Sequence, residues 1–222
     1  MAELTREQER AAVLARARVI AVLGAHSEQQ RPAFYVPDYL HEMGYRVIPV
    51  NPLLAGQELW GEPVRASLAD IGEPVDVVDV FRRPDQLGAH LPELLAMRPA
   101  PAVVWFQLGI RNDEVAAALV DAGMDVVQDA CTLADHRRFR RSGLLLDQQL
   151  AALREALDAG VAGRDDDGEA ADQVREVYGE LLEQYRADPD ALSRVREVGR
   201  LIEEAVQRGD LPRALIRRGP RD

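Results

Sequence analysis

The 222 residues contain no lysine, and all 27 positive side chains are arginine. That removes Schiff-base chemistry and the lysine of a phosphate-binding P-loop. The one cysteine, Cys131, excludes an internal disulfide and any cysteine-cluster metal site. No stretch approaches the uninterrupted apolar length of a membrane helix, and Met1-Ala2-Glu3-Leu4-Thr5-Arg6-Glu7 holds no apolar signal core. The expectation is a cytoplasmic protein without a membrane partner. His41, His90 and His136 lie far apart with no ligand spacing between them, so no metal site is expected. No Ser-His-Asp or Cys-His arrangement stands out as a catalytic set. Excess positive charge is also missing: the formal net charge is −11, which argues against a nonspecific nucleic-acid binder.

What is present organises around residues 19–33. Val19-Ile20-Ala21-Val22-Leu23 is an apolar run of strand length that stops at Gly24, followed by a polar loop ending at Arg31 and a helix opening at Pro32. An apolar strand feeding a glycine turn and then a helix is how a doubly wound α/β domain begins a nucleotide site, because turn and helix start both offer free backbone N–H groups. The G-x-G-x-x-G fingerprint is absent, since only Gly24 is in place. Further strands are expected at 45–52, 75–81, 102–106 and 125–128. Between them, helices are expected at 32–43, with Tyr35, Tyr39 and Leu40 as core contacts and Gly44 as its cap, and from Pro84 to about Met97. Another runs from an Asn112 cap to Ala122, ended by Gly123. Leu59-Trp60-Gly61 reads as a short strand or a turn, and Thr5 with Gln8 has capping-box spacing for a short helix at 5–16. Strands alternating with helices on short connections make a Rossmann-like, doubly wound, mainly parallel five-stranded sheet.

From about Leu144 the strand pattern disappears. The expected organisation is a domain over 1–143 and a helical extension over 144–222. The extension holds a helix at 146–159 ended by Gly160, an acidic linker at 163–168, and a helical hairpin at about 171–207. The second hairpin helix opens at Asp188-Pro189 and places Leu192, Val195, Val198, Leu201, Ile202 and Ala205 on one side. Those apolar faces must be buried within the chain or in a partner, so a homodimer is one expectation. The tail from Gly209 is expected to be loose.

In this fold ligands sit outside the carboxyl ends of the strands, near the switch in strand order. That rule selects Gly24–Arg31, Asn51-Pro52, Phe81–Arg83 and Gln107–Asn112. Arg31 and Arg82 can pair with phosphates, Asn51 can bond a ribose or base edge, and Phe81 can stack. The same residues read equally well as ordinary loop residues with exposed arginines. His26 in the loop can donate to a phosphate oxygen or be a surface residue. Trp60 and Trp105 read as core.

Taken together, Val19–Ala25, Arg31-Pro32, Gly44–Pro52, Asp79–Arg82, Val104–Ile110 and Asp129–Cys131 resemble, in order and spacing, the small stand-alone CoA-binding domain proteins. These are similar to the nucleotide-binding domain of the succinyl-CoA synthetase α-subunit. The resemblance spans about 19–138, and its most specific motifs are Pro-Val-Asn-Pro and Trp-x-Gln-x-Gly-Ile. It implies a coenzyme A site in which Gly24 and Ala25 hold the pyrophosphate and His26, Ser27 and Arg31 approach a phosphate. Asn51 and Pro52 would border the adenosine, Phe81 and Arg82 the adenine or 3′-phosphate side, and Gln107, Leu108 and Gly109 the pantetheine. The chain departs from the family pattern at His26, Gln29 and Ala130, where serine, proline and arginine are usual; Ser27 offers a hydroxyl one place along. Cys131 reads first as packing and second as a partner for the CoA thiol. The related ligases need a phosphorylated histidine in a further domain and a nucleotide-grasp partner, and no histidine follows Arg141. The resemblance therefore points to a noncatalytic CoA or acyl-CoA binding protein, a sensor or carrier. The alternatives are a nicotinamide- or CoA-dependent enzyme on the same fold and a partner-binding protein using the C-terminal helices.

Overall fold

The computed structural model describes residues 1–162, 169–208 and 210–211. The chain divides into two compact units, Met1–Leu145 and Leu146–Asp222. In the first, α1 (Glu7–Arg16) leads into β1 (Val19–Leu23), α2 (Pro32–Glu42) and β2 (Arg46–Val50). A two-stranded hairpin follows, β3 (Glu58–Leu59) and β4 (Glu62–Pro63), and then β5 (Val77–Val80), α3 (Leu87–Ala96) and β6 (Val103–Phe106). The unit closes with α4 (Asp113–Asp121), β7 (Asp125–Val127) and α5 (Thr132–Ser142). Five strands form one parallel sheet in the order β2-β1-β5-β6-β7. The order reverses between β1 and β5, which is the switch point of a doubly wound sheet.

The strands read as apolar runs because both faces of the sheet are covered. Ala21, Leu23, Ile48, Val78, Val80, Val104 and Phe106 meet Leu87, Leu94 and Leu119 of α3 and α4 on one face. Ile20, Val22, Val47, Val77, Trp105 and Val127 meet Leu14, Leu40 and Phe139 of α1, α2 and α5 on the other. A bridge covers part of each sheet edge, which reduces the free backbone groups that invite edge-to-edge aggregation. On β7 the N-terminal segment adds a bridge at Glu3, with the Leu4 N–H donating to the Val126 carbonyl at 2.7 Å. On β2 the Arg65 N–H donates to the Pro49 carbonyl at 2.9 Å, and Pro49 itself, lacking a donor, is suited to an edge.

Several local expectations change. The N-terminal helix takes its cap from Arg6, whose N–H donates to Glu9 Oε2 at 3.0 Å, and not from Thr5 with Gln8. Tyr35 is 45% exposed, although Tyr39 and Leu40 are buried. Pro84 opens a separate 3-10 turn, Pro84–Gln86, ahead of α3. The Leu59–Gly61 stretch is both strand and turn: Trp60 and Gly61 take positive φ of 54° and 74° between β3 and β4. The sequence pattern gives no element to 129–143, where the structure places α5. Its buried side includes Thr132, Asp135 and His136, so the apolar period is weak.

In the second unit α6 (Leu144–Ala162) runs through Gly160 instead of ending there. The linker at 163–168 lies outside the described residues. The hairpin is α7 (Glu169–Gln184) and α8 (Pro189–Arg208), with Asp188 Oδ1 accepting from the Ala191 N–H at 3.1 Å as the cap. Leu146, Leu150, Leu153, Val174, Leu181, Val195, Val198 and Ile202 form one core. Gly199 admits the Tyr178 ring: a Cβ there would stand 2.1 Å from its hydroxyl oxygen. Leu201, expected on the apolar side, is 41% exposed, and Leu211, expected in a loose tail, is buried in this core. The rest of the tail lies outside the described residues.

Leu40 is fully buried between α2 and the sheet, whereas Leu53 is 88% exposed. Leu40→Ala is expected to lower unfolding free energy by about 2–5 kcal/mol in urea titration, and Leu53→Ala to leave it within about 0.5 kcal/mol.

Candidate functional site

The switch point opens between the carboxyl ends of β1 and β5. Gly24 ends β1 with φ +98°, and its N–H donates to the Val50 carbonyl at 2.9 Å. A Cβ on this residue would stand 2.5 Å from the Phe81 carbonyl oxygen and 3.2 Å from Arg82 Nε. Only glycine permits both the turn and the approach of the β5 exit. The loop after it is pinned from β2: Asn51 Nδ2 donates to the Ala25 carbonyl at 2.7 Å, and Asn51 Oδ1 accepts from the Leu53 N–H at 3.0 Å. The Asn51 amide is therefore engaged inside the protein, fixing Ala25, which is fully buried. Pro52 opens an exposed 3-10 turn, Pro52–Leu54.

Beyond Ala25 the loop turns outward. His26 is half-buried and its Nδ1 accepts from the Glu28 N–H at 3.0 Å, which assigns the ring proton to Nε2. Ser27 is exposed, and the N–H groups of Ser27, Gln29 and Gln30 donate to no protein group among the described residues. The loop thus presents unused backbone donors beside the start of α2. Arg31 caps α2 with a 61% exposed side chain and pairs with Glu28 at 3.1 Å, which lowers the Glu28 carboxyl below its usual value. Arg82 differs. Half-buried beside Gly24, it makes no ion pair among the described residues, and its Nε is buried without an acceptor. Phe81 packs partly into the core face shared with α2.

On the far side of the switch point Gln107 turns its side chain inward, not toward the rim. Its Nε2 lies 2.8 Å from each oxygen of Asp79 and 2.7 Å from Thr132 Oγ1. Thr132 Oγ1 in turn donates to Asp79 Oδ2 at 3.2 Å. Leu108 is 70% exposed, and Gly109, at φ +79°, donates its N–H to Asp129 Oδ1 at 2.7 Å. Asp79 is fully buried, and burial lifts its carboxyl to about 7 against the lowering effect of Gln107, Thr132 and the Val80 N–H. Cys131 precedes α5 half-buried, and burial raises its thiol. His136 bonds Tyr39 through Nδ1 at 2.8 Å, its Nε2 is buried without a partner, and burial lowers it to about 4. Both tryptophans are buried, and Trp105 Nε1 donates to the Ala130 carbonyl at 2.7 Å.

The structure thus gathers Gly24, Ala25, His26, Ser27, Asn51, Phe81 and Arg82 at one opening, leaves Arg31 in a solvent-facing pair, and turns Gln107 into the core. Sequence reasoning passed over Asp79 and Thr132. The signal for Asp79 was visible: one aspartate inside Val77-Val78-Asp79-Val80, a strand covered on both faces.

Asp79 generates a pH dependence of stability. Its folded value lies above the unfolded one, so the folded state holds the extra proton between about pH 4 and about pH 7. Stability from this group falls as pH rises through that window, by at most about 1.4 kcal/mol per pH unit, and levels off above it. His136 acts oppositely, since its depressed value makes stability rise between about pH 4 and its unfolded value of 6.5. Urea titrations of wild type and Asp79→Asn at pH 5, 6, 7 and 8 separate the two: the variant is expected to gain on wild type steadily up to pH 7.

A family model described as a CoA binding domain matches residues 18–137, more than half of the chain. The uncharacterized protein YneT of Bacillus subtilis is 36% identical over 124 residues, covering 56% of this chain and 89% of that protein. A Thermus thermophilus structure, cell-free ID.343, is 54% identical with a TM-score of 0.58, covering 60% of this chain and 98% of that one. A hypothetical protein from Pyrococcus horikoshii OT3 is 31% identical with a TM-score of 0.56, covering 60% and 92%. All three matches leave a large part of the present chain unaccounted for. The match over 18–137 covers more than half of the chain, and the chain belongs to the CoA binding domain family.

Proposed function

We propose that this protein binds coenzyme A or an acyl-CoA at the switch point and catalyses no reaction with it, acting as a sensor or carrier. The observation that carries this reading is Arg82, a half-buried cation whose Nε has no acceptor, set against a glycine whose absent Cβ leaves room beside it. A buried guanidinium N–H without an acceptor is costly, and a phosphate oxygen is the acceptor whose geometry suits it. The residues fit the ligand: Gly24 and the free N–H groups of Ser27, Gln29 and Gln30 would receive the diphosphate, with Arg82 and, after exchange from Glu28, Arg31 supplying charge. Asn51 would hold the loop and not touch the ligand. His26, with its proton on Nε2, would add one donor. The ligand supplies a thiol or thioester; the chain supplies binding, orientation and charge.

The apolar side chains of the second unit form a core of their own. The acidic chain fits neither nucleic acid nor an anionic membrane surface, and among the described residues no helix is long and apolar enough to cross a membrane.

Thermal unfolding with CoA, acetyl-CoA, dephospho-CoA, NAD and NADP tests the reading. CoA at about a hundred times its Kd is expected to stabilise by about 2.7 kcal/mol, and the nicotinamide nucleotides to give less. Arg82→Ala is expected to weaken CoA by about tenfold to a hundredfold while unfolding like wild type without ligand, and Arg31→Ala to weaken it less. No stabilisation by CoA or acetyl-CoA at millimolar concentration would overturn the assignment.

A further inference from the structure

Asp79 is the charge-bearing group that the binding site does not use. It stands in the central strand β5, opposite Val22 of β1 and Trp105 of β6, with no exposed surface. No cation contributes to its environment; its hydrogen-bond partners are the Gln107 amide, the Thr132 hydroxyl and the Val80 N–H, all neutral. Packing alone is no reason for it, because Val77, Val78 and Val80 fill the same strand without polar groups. What the carboxyl does is join three elements at their functional ends: β5, two residues before Phe81; the β6 exit at Gln107; and the first residue of α5, Thr132. Those are the elements that border the switch point on the side away from β2.

Cys131, just ahead of α5, feels its charge, whereas Asp135 is held by Arg10 and Arg138, and His136 by Tyr39. From β1 and β6 the facing residues are the apolar Val22 and Trp105. Three residues further along its own strand exit stands Arg82, which has no ion-pair partner among the described residues and lies beside Gly24, where the anion is proposed to sit.

We propose that Asp79 is a positioning residue for the ligand site, and that binding of the anionic ligand beside Gly24 and Arg82 is accompanied by uptake of up to one proton, depending on pH, from solvent onto this carboxyl. The inference rests on the CoA-binding reading above. When Asp79 is ionised, both oxygens accept from Gln107 and the β6 exit is held down against β5. When it is protonated, the carboxyl is a weaker acceptor for both the Gln107 amide and the Thr132 hydroxyl, so these two bonds favour the charged form. Phosphate charge near the strand ends disfavours the carboxylate and favours the neutral form. By reciprocal linkage, whatever the ligand does to the proton the proton does to the ligand, so affinity falls as pH rises through neutrality. A burial-raised carboxyl is at the right place on the pH scale for the exchange to occur under ordinary conditions.

Calorimetric titration of the full chain with CoA tests it, at pH 6, 7 and 8 and in two buffers of different ionisation heat. Wild type is expected to take up a fraction of a proton at pH 7 and to lose affinity by about tenfold for each unit by which the ligand raises the carboxyl. Asp79→Asn is expected to bind CoA with buffer-independent heat, save for the proton exchange of the ligand's own phosphates. Thr132→Val keeps the carboxyl but removes a bond that favours its charged form, and is expected to move the midpoint of the pH dependence upward. That shift is readable even where the asparagine variant does not fold. Equal proton uptake in wild type and Asp79→Asn, or an unmoved midpoint in Thr132→Val, overturns the inference while leaving CoA binding in place. Failure of wild type to bind CoA at all overturns the CoA-binding reading instead.

Discussion

The contact on which the ligand edge depends is the close approach of the β5 exit to the end of β1. The Phe81 carbonyl comes to within 2.5 Å of where a side-chain carbon on Gly24 would stand. In a parallel sheet covered on both faces, polar groups can be used only at strand ends, because the interior of each strand is apolar and sealed. The switch in order between β1 and β5 opens one gap in that edge. Gly24 lets the two exits come together below the gap, with Arg82 Nε beside it, while Asn51 reaches from β2 to fix the Ala25 carbonyl. Three strand ends are thus set by one missing side chain and one amide.

Charge pairing separates the unusual groups from the ordinary ones. Arg10 joins Asp135, Arg46 joins Glu62 and Glu73, Arg83 joins Asp85 and Arg138 joins Glu7 and Asp135. The solvent-facing pairs among these add little to stability and exchange easily, whereas Arg10–Asp135 is largely buried. In a chain of net charge −11, a half-buried arginine whose Nε finds no acceptor among the described residues stands out, and so does a buried carboxyl with only neutral partners. Arg82 and Asp79 are two such groups, three residues apart at the end of the same strand. Their separation is chemically sensible: were they paired, neither would be available, the one to an anion and the other to a proton.

The second unit follows a simpler logic. Helices with a polar face and an apolar stripe bury the stripes against one another, and Gly199 lets the Tyr178 ring seat directly on the α8 backbone. Gln149, Gln184 and Tyr185 add a small polar link between α6 and the end of the α7 segment, with Tyr185 donating to Gln149 Oε1 at 2.7 Å.

The sequence by itself determined the strands, most of the helices and the loops that could meet a ligand. Apolar runs ending in Gly24, Asn51, Phe81 and Gln107 are local signals, and the rule that ligands sit at carboxyl ends needs nothing more. Caps such as Asn112 and Asp188 were legible for the same reason, because a cap satisfies donors within its own turn. Three-dimensional packing decided what each loop residue does. Arg31 and Arg82 look alike in sequence, yet one finds Glu28 three residues away and the other finds no carboxylate among the described residues. Gln107 looks like a rim residue, yet its amide is claimed by Asp79, 28 positions earlier. The helix α5 escaped notice because its buried face includes Thr132, Asp135 and His136, whose partners Asp79, Arg10 and Tyr39 lie on other elements. A polar side chain's role is set by which partner the fold brings within 3 Å, and that distance is a property of the tertiary structure alone.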